Sequence, residues 1–138
     1  MFTLHPRLKA DTIEIARLRL SVVLIMNDSS FPWLLLVPMR EGVSEIHDLS
    51  KEERAVLMEE VALASKVIQK LFNTDKINVG ALGNIVLQLH VHVIGRFTSD
   101  RAWPGPVWGA GDSVPYTHAE LDKTIALLRE ALKEEFPS

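Results

Sequence analysis

The stretch from Asn84 to Phe97, NIVLQLHVHVIGRF, constrains this chain more than any other. In an extended strand alternate side chains share a face, so Gln88, His90 and His92 line one side. Leu87, Leu89, Val91 and Val93 fill the other. One face is built for burial, while the opposite face carries groups that bond, titrate or attack. At about 3.3 Å of rise per residue, neighbours in the polar row stand roughly 7 Å apart, a span that a phosphate or similar oxyanion bridges.

Three readings compete for the two imidazoles. They could face solvent on the open side of an antiparallel sheet, where exposed histidine is common. They could ligate a metal, since His-x-His on a strand offers two donors. A third ligand would then have to come from His5, His47, His118 or an acid brought in by the fold. The cupin arrangement, with a Glu soon after the pair, fails because Arg96 and Phe97 occupy that place, so no metal is expected. Third, a neutral imidazole has a lone pair near pH 7 and can attack phosphorus without an activating base. That role requires its other nitrogen to be fixed by a hydrogen bond, and neighbours that hold the oxyanion as charge develops.

The remaining pattern supplies a frame for such a strand. HPRLKA reads as one helical turn with Pro6 at its start. DTIEIARL alternates as a half-buried strand, LSVVLIMND as a more buried one, and WLLLVPM as a third. SKEERAVLMEEVALASKVIQKLF is the clearest helix: Ser50 and Glu53 form a capping box, and Leu57, Val61, Ala64, Ile68 and Leu71 make one apolar stripe. KINVGAL and LQLHVHVIGRF read as two more strands joined at Leu82-Gly83-Asn84. Thr117 and Glu120 open a last helix over about 117–136, whose stripe is Leu121, Ile125, Leu128 and Leu132. The expectation is an α+β fold, a five-stranded antiparallel sheet meander with one long helix and a C-terminal helix. A single domain over 1–138 is expected, with a long Trp/Pro/Gly loop at about 98–116.

Composition narrows the function. Net charge is −3, which argues against a protein that coats nucleic acid by neutralising phosphates. There is no cysteine, so disulfides, thiolate zinc ligands and a Cys nucleophile are excluded. VVLIM and WLLLVPM are far shorter than a membrane span, and the first residues lack the apolar core of a signal peptide. No membrane partner and a cytoplasmic location are the expectations.

The register Gln88-Leu89-His90-Val91-His92-Val93-Ile94 resembles the histidine-triad (HIT) motif, in which three histidines alternate with apolar residues. Two of the three histidines and all four apolar places match, and the order of elements over residues 1–97 is similar too. With NVGALGN upstream and AWPGPVWG downstream, the chain looks like a bacterial branch carrying Gln at the first triad position.

The resemblance implies a hydrolase or transferase of nucleotide phosphates that works through a covalent nucleotidyl-histidine and needs no cofactor. Its substrates would be purine nucleotides or nucleoside phosphates, of phosphoramidate or dinucleoside polyphosphate type. It implies His90 as nucleophile, with His92 and Gln88 beside the phosphate. For the ribose it implies Asn27, with Asp28 next to it; for the phosphate it implies Asn84, with Asn78 a further candidate. It also implies a homodimer, paired through the long helix and the strand before the motif into a ten-stranded sheet. Two departures matter. Gln88 cannot deliver a proton to a leaving group, and Ile85 stands where many relatives carry a hydroxyl. A nucleotide-binding module with little or no catalysis is therefore the rival reading.

Other residues have plainer alternatives. Trp103 and Trp108 could wall a pocket or pack in a core or between subunits. Trp33 reads as core, and Arg96 as a phosphate contact or a surface salt bridge. His5, His47 and His118 read as surface or capping residues.

Overall fold

The computed structural model describes residues 1–136; the last two positions of the expected 1–138 span lie outside the described residues. The elements run α1 (Pro6–Asp11), β1 (Thr12–Arg17), β2 (Ser21–Met26), β3 (Trp33–Pro38), α2 (Lys51–Phe72), β4 (Lys76–Gly80), β5 (Val91–Arg96) and α3 (His118–Glu135), with a short 3₁₀ turn at Ile46–Asp48. All five strands pair antiparallel in the order β1-β2-β3-β5-β4. The fold is the α+β architecture read from the sequence. Its strand order departs from a simple meander at one place: α2 carries the chain past β3 to the far edge, and β5 returns to fill the gap.

Both capping boxes form as the sequence predicts. The Glu53 amide donates to Ser50 Oγ at 3.1 Å, and the Ser50 amide to Glu53 Oε1 at 2.8 Å. The Thr117–Glu120 pair repeats the arrangement at the start of α3. Each box satisfies first-turn amides that the helix itself leaves unpaired. α2 ends at Asn73, which takes the left-handed conformation with φ 52°.

The sheet has two unlike faces. On one, Val23, Ile25, Leu34, Leu36, Val91 and Val93 pack against the stripes of α2 and α3. On the other, Leu24, Trp33, Leu35 and Ile94 pack against Leu8 of α1, Phe31, Val86 and Val107. His92 shares this second face, since it alternates with Val91 and Val93. Gly95 allows the close approach between the layers: a Cβ there would fall 2.6 Å from Thr74 Cγ2 and 2.8 Å from Pro32 Cγ.

The strand that carries the motif is shorter than its sequence suggests. β5 begins at Val91, and the link from β4 is the ten-residue segment 81–90 instead of a tight turn. β4 ends at Gly80, opposite His92, so nothing remains for residues 84–90 to pair with on that side. The segment turns away, Leu89 donates its amide to the Val43 carbonyl, and Leu87 is left exposed instead of joining the apolar face. His90 thus precedes the regular ladder.

The long loop is anchored by a buried ion pair. Arg96, 1% exposed, donates to Asp100 through Nε at 2.8 Å and Nη2 at 3.0 Å, to Gly105 O at 2.8 Å and to Asn78 Oδ1 at 2.7 Å. Asp100 in turn accepts the amides of Phe97, Ala102 and Trp103. The hydrogen bonds from Arg96 hold the Asp100 carboxyl down at about 2 against the opposing effect of burial. Arg96 is thus neither a phosphate contact nor a surface bridge, as its position after the motif had suggested. No helix among the described residues is long and apolar enough to cross a membrane.

Candidate active site

A cleft of about 420 Å³ opens over the second face of the sheet. Its walls come from α1 (Arg7, Leu8, Asp11), the ends of β2 and β3, the 82–86 segment and the long loop. His90, His92, Asn84 and Asp28 of the sequence-read residues line it. Gln88, Asn27 and Asn78 do not. Asn78 is spent on Arg96, and Asn27 Oδ1 accepts the Tyr116 amide at 3.0 Å, fastening the entry to α3.

The two imidazoles sit with ring centroids 5.0 Å apart and planes at 67°. Both are buried, His90 at 7% and His92 at 5% exposure. His90 Nδ1 lies 2.7 Å from the Gln88 carbonyl oxygen. A carbonyl only accepts, so Nδ1 carries the proton and Nε2 keeps its lone pair. His92 is fixed in the opposite sense. The Trp33 indole Nε1, which only donates, lies 2.9 Å from His92 Nδ1, so the His92 proton resides on Nε2. Adjacent rings therefore offer a nucleophile and a hydrogen-bond donor. Trp33 is at once core and the residue that sets this tautomer.

Aromatic packing completes the enclosure. The Trp108 ring stands edge-on to His92 at 5.2 Å, and Trp33 lies 5.8 Å away on another side. Gly80 makes room for Trp108, since a Cβ there would approach its ring to 3.0 Å. Burial first, and then the neighbouring His90, push the His92 pKa down to about 4. An imidazole so placed stays neutral across the physiological range and can donate a hydrogen bond from Nε2 without carrying charge.

Gln88 serves a different end. Its Oε1 accepts the His5 amide at 2.8 Å and its Nε2 donates to the Thr3 carbonyl at 2.8 Å. The carboxamide mimics a peptide group and ties the first residues of the chain alongside the motif. His5 then caps α1, its Nδ1 accepting the Arg7 amide at 3.1 Å. The tether thus sets the wall formed by α1, while the Gln88 backbone carbonyl sets the tautomer of His90.

The residues that sequence reasoning missed are Arg7, Trp33 as a hydrogen-bond donor, and Arg101. None carried a local signal, because each reaches the cleft from an element distant in sequence. Trp108, read as either wall or core, proves to be wall. A second, smaller cavity of about 150 Å³ also reaches His90, sharing Leu82 and Gly83 with the first and adding Ser44, Glu45 and His47.

Two outcomes follow for these rings and their tether. In an NMR titration His92 is expected to protonate with a midpoint near 4 and to show the Nε2–H tautomer at pH 7. Because its folded pKa lies below the unfolded value, the neutral ring contributes stability above about pH 6.5 that fades as pH falls toward 4. A midpoint near 6.5 would mean that the ring is not enclosed as described. For the tether, Gln88→Ala removes two hydrogen bonds at about 1 kcal/mol each, so the His5 amide should exchange its hydrogen roughly tenfold or more faster. Unaltered exchange at His5 and along α1 would show that the carboxamide holds nothing.

Comparisons with known proteins place the fold in a family. The HIT domain model matches residues 7–99. The chain is similar to a histidine triad protein of Marinobacter aquaeolei, with 46% identity over 97% of this chain and 98% of that one and a TM-score of 0.94. A histidine triad protein of Bradyrhizobium japonicum shares 46% identity over 94% and 97% of the two chains, with a TM-score of 0.92. Another, of Sinorhizobium meliloti, shares 45% over 95% and 97%, also with a TM-score of 0.92. No curated protein matches the chain. With the domain matched over most of its length and near-complete overlap with these relatives, the chain belongs to the histidine-triad (HIT) family.

Proposed function

We propose that this protein is a nucleotide-phosphate hydrolase or nucleotidyl transferase acting through a covalent intermediate on His90. The observation that carries the reading is the pair of opposed tautomers: an Nε2 lone pair on His90 and an Nε2–H on His92, side by side in one cleft. A nucleoside phosphate fits the cleft with its ribose toward Asp28 and its phosphate at the histidines. This reading places the ribose at Asp28, since the side chain of Asn27 is engaged elsewhere.

The chemistry balances in two steps. His90 Nε2 attacks the α-phosphorus, and the bond from phosphorus to the leaving group breaks with its electron pair. The phosphorylated ring is cationic, with its Nδ1 proton held on the Gln88 carbonyl. His92 Nε2–H and Asn84 donate to the phosphoryl oxygens as their charge grows. The departing group takes up one proton from solvent. Water then adds to phosphorus, releases one proton and restores His90; another acceptor in place of water gives transfer. The two protons cancel, and the sum with water is hydrolysis.

The rival binding-module reading rested on the missing first histidine. Gln88 lies outside the cleft, so its replacement removes no group from the phosphate site, and the catalytic reading is the better supported. His90→Ala is expected to lower turnover of adenosine 5′-phosphoramidate or diadenosine tetraphosphate by about 10³-fold or more while nucleotide binding persists. Mass spectrometry of enzyme quenched without acid should find a nucleotidyl group on the peptide containing His90. Turnover undiminished in the variant, or binding with no product over hours, would remove the proposal.

A homodimer fits the same reading. β4 is a sheet edge, with Val79 half exposed, and α2 beside it leaves Met58 exposed at 67%. An unpaired edge next to apolar surface favours pairing with a second copy through α2 and β4. Sedimentation should give twice the chain mass, and Val79→Lys should shift it toward the monomer; a monomeric wild type excludes this assembly.

A further inference from the structure

Two guanidinium groups line the cleft, and they are held differently. Arg101 is committed: its Nη2 donates to Asp28 Oδ2 at 3.0 Å, and Asp28 is 1% exposed, so the two charges compensate each other. Arg7 is not. Among the described residues its guanidinium makes no hydrogen bond, and the carboxylate it pairs with, Asp11, lies 3.9 Å from Nε. Both side chains are more than half exposed. Water screens such a pair, and little is lost when the guanidinium changes partner.

The place of Arg7 follows from how α1 lies along the cleft. The start of the helix is fastened beside the motif: Gln88 Oε1 accepts the His5 amide at 2.8 Å, and His5 Nδ1 accepts the Arg7 amide at 3.1 Å. Its last residue is fastened to the end of β2, where the Asp11 carbonyl accepts the Asn27 amide at 3.2 Å. Leu8, 4% exposed, pins the helix to the core between these points. Arg7 therefore stands in the first turn, at the end of the wall nearer Gln88, and it lines the same cleft as both imidazoles.

The chemistry at this end leaves Arg7 one role. In the reaction proposed above, Asn84 and His92 Nε2–H bond the phosphoryl group under attack. The other residues of the 82–86 segment, Leu82, Gly83, Ile85 and Val86, have no polar side chain to offer. An in-line displacement sends the leaving group away from His90 Nε2, and so outward from the buried rings. A phosphate there would meet a cation with open donors, whose planar fork matches two of its oxygens. An amine offers no anionic oxygen to that fork.

Resting on the function proposed above, we infer that Arg7 is a specificity-determining residue that bonds the phosphate beyond the one attacked, so that the favoured substrates are phosphoanhydrides, whose leaving group is itself a phosphate. An arginine that served only the surface of α1 would treat nucleotides with one phosphate and with two alike. The distinction is measurable without turnover.

Calorimetric binding of adenosine 5′-monophosphate and of α,β-methylene adenosine 5′-diphosphate, which cannot be cleaved between its phosphates, supplies the test. Wild type is expected to bind the diphosphate about tenfold or more tightly, as a charge-assisted contact gives. That preference should shrink as salt is added. Arg7→Ala should bring the ratio to within about threefold of unity. Arg7→Lys keeps the charge but gives up the fork, and should fall between. A ratio unchanged in Arg7→Ala, or both nucleotides weakened by one factor, overturns the inference. Failure of both nucleotides to bind wild type overturns it together with the proposed function. A nucleotidyl adduct on His90 with no effect of Arg7 on the ratio removes only the inference. An Arg7-dependent ratio without any adduct removes only the reaction.

Discussion

The site depends on one constraint, that two neighbouring imidazoles hold their protons on opposite nitrogens. Neither ring could keep its tautomer alone, because a free imidazole exchanges the proton between its nitrogens. A backbone carbonyl at Gln88 and an indole N–H at Trp33 each force the choice, since the first only accepts and the second only donates. The fold exists around these two bonds. β5 must pair with β3 so that His92 stands across from Leu35 and within reach of Trp33, one pleat away on the same face. The chain must leave the ladder before Val91 so that the Gln88 carbonyl faces the His90 ring instead of another strand.

Departure from the ladder explains what the Gln88 side chain does. A residue in the regular strand would send its side chain into the cleft, two positions before His90. Residue 88 lies on the turned segment, and its side chain faces the first residues of the chain. What that position requires here is a group that both donates and accepts in one plane, as a peptide does. A carboxamide supplies both at once; an imidazole would place its two nitrogens differently. In this fold the Gln88 side chain acts on how the α1 wall is held.

The fold was largely legible because its signals are local. Capping boxes at Ser50 and Thr117, stripes along two helices and alternation in the strands all act within a few residues. Of the residues that line the cleft, the sequence points to His90 and His92 through a motif and to Asn84 and Asp28 only through the resemblance. Strand periodicity also misplaced Leu87 and Gln88, because alternation holds only while a neighbour exists to enforce it, and β4 stops at Gly80. Trp33, Arg101 and Arg7 were beyond reach for a different reason. Their roles come from elements about 59, 73 and 83 residues away from their partners or from the histidines, and no pattern within one segment encodes such a meeting.

Arg96 shows how the distant pieces are kept in place. A buried ion pair rarely adds net stability, because desolvating two charges offsets their attraction. Its use lies in geometry: seven hydrogen bonds converge on Arg96 and Asp100 from β4, β5 and the following turn. An apolar pair could fill the same volume, yet it would leave those carbonyls and amides unpaired and the turn free to shift. Because the turn starts the loop that carries Arg101, Val107 and Trp108, freedom there would loosen the cleft wall opposite α1. The long loop is therefore ordered from its charged root outward, and the aromatic and cationic groups it brings to the histidines inherit their positions from a bond that never touches the cleft.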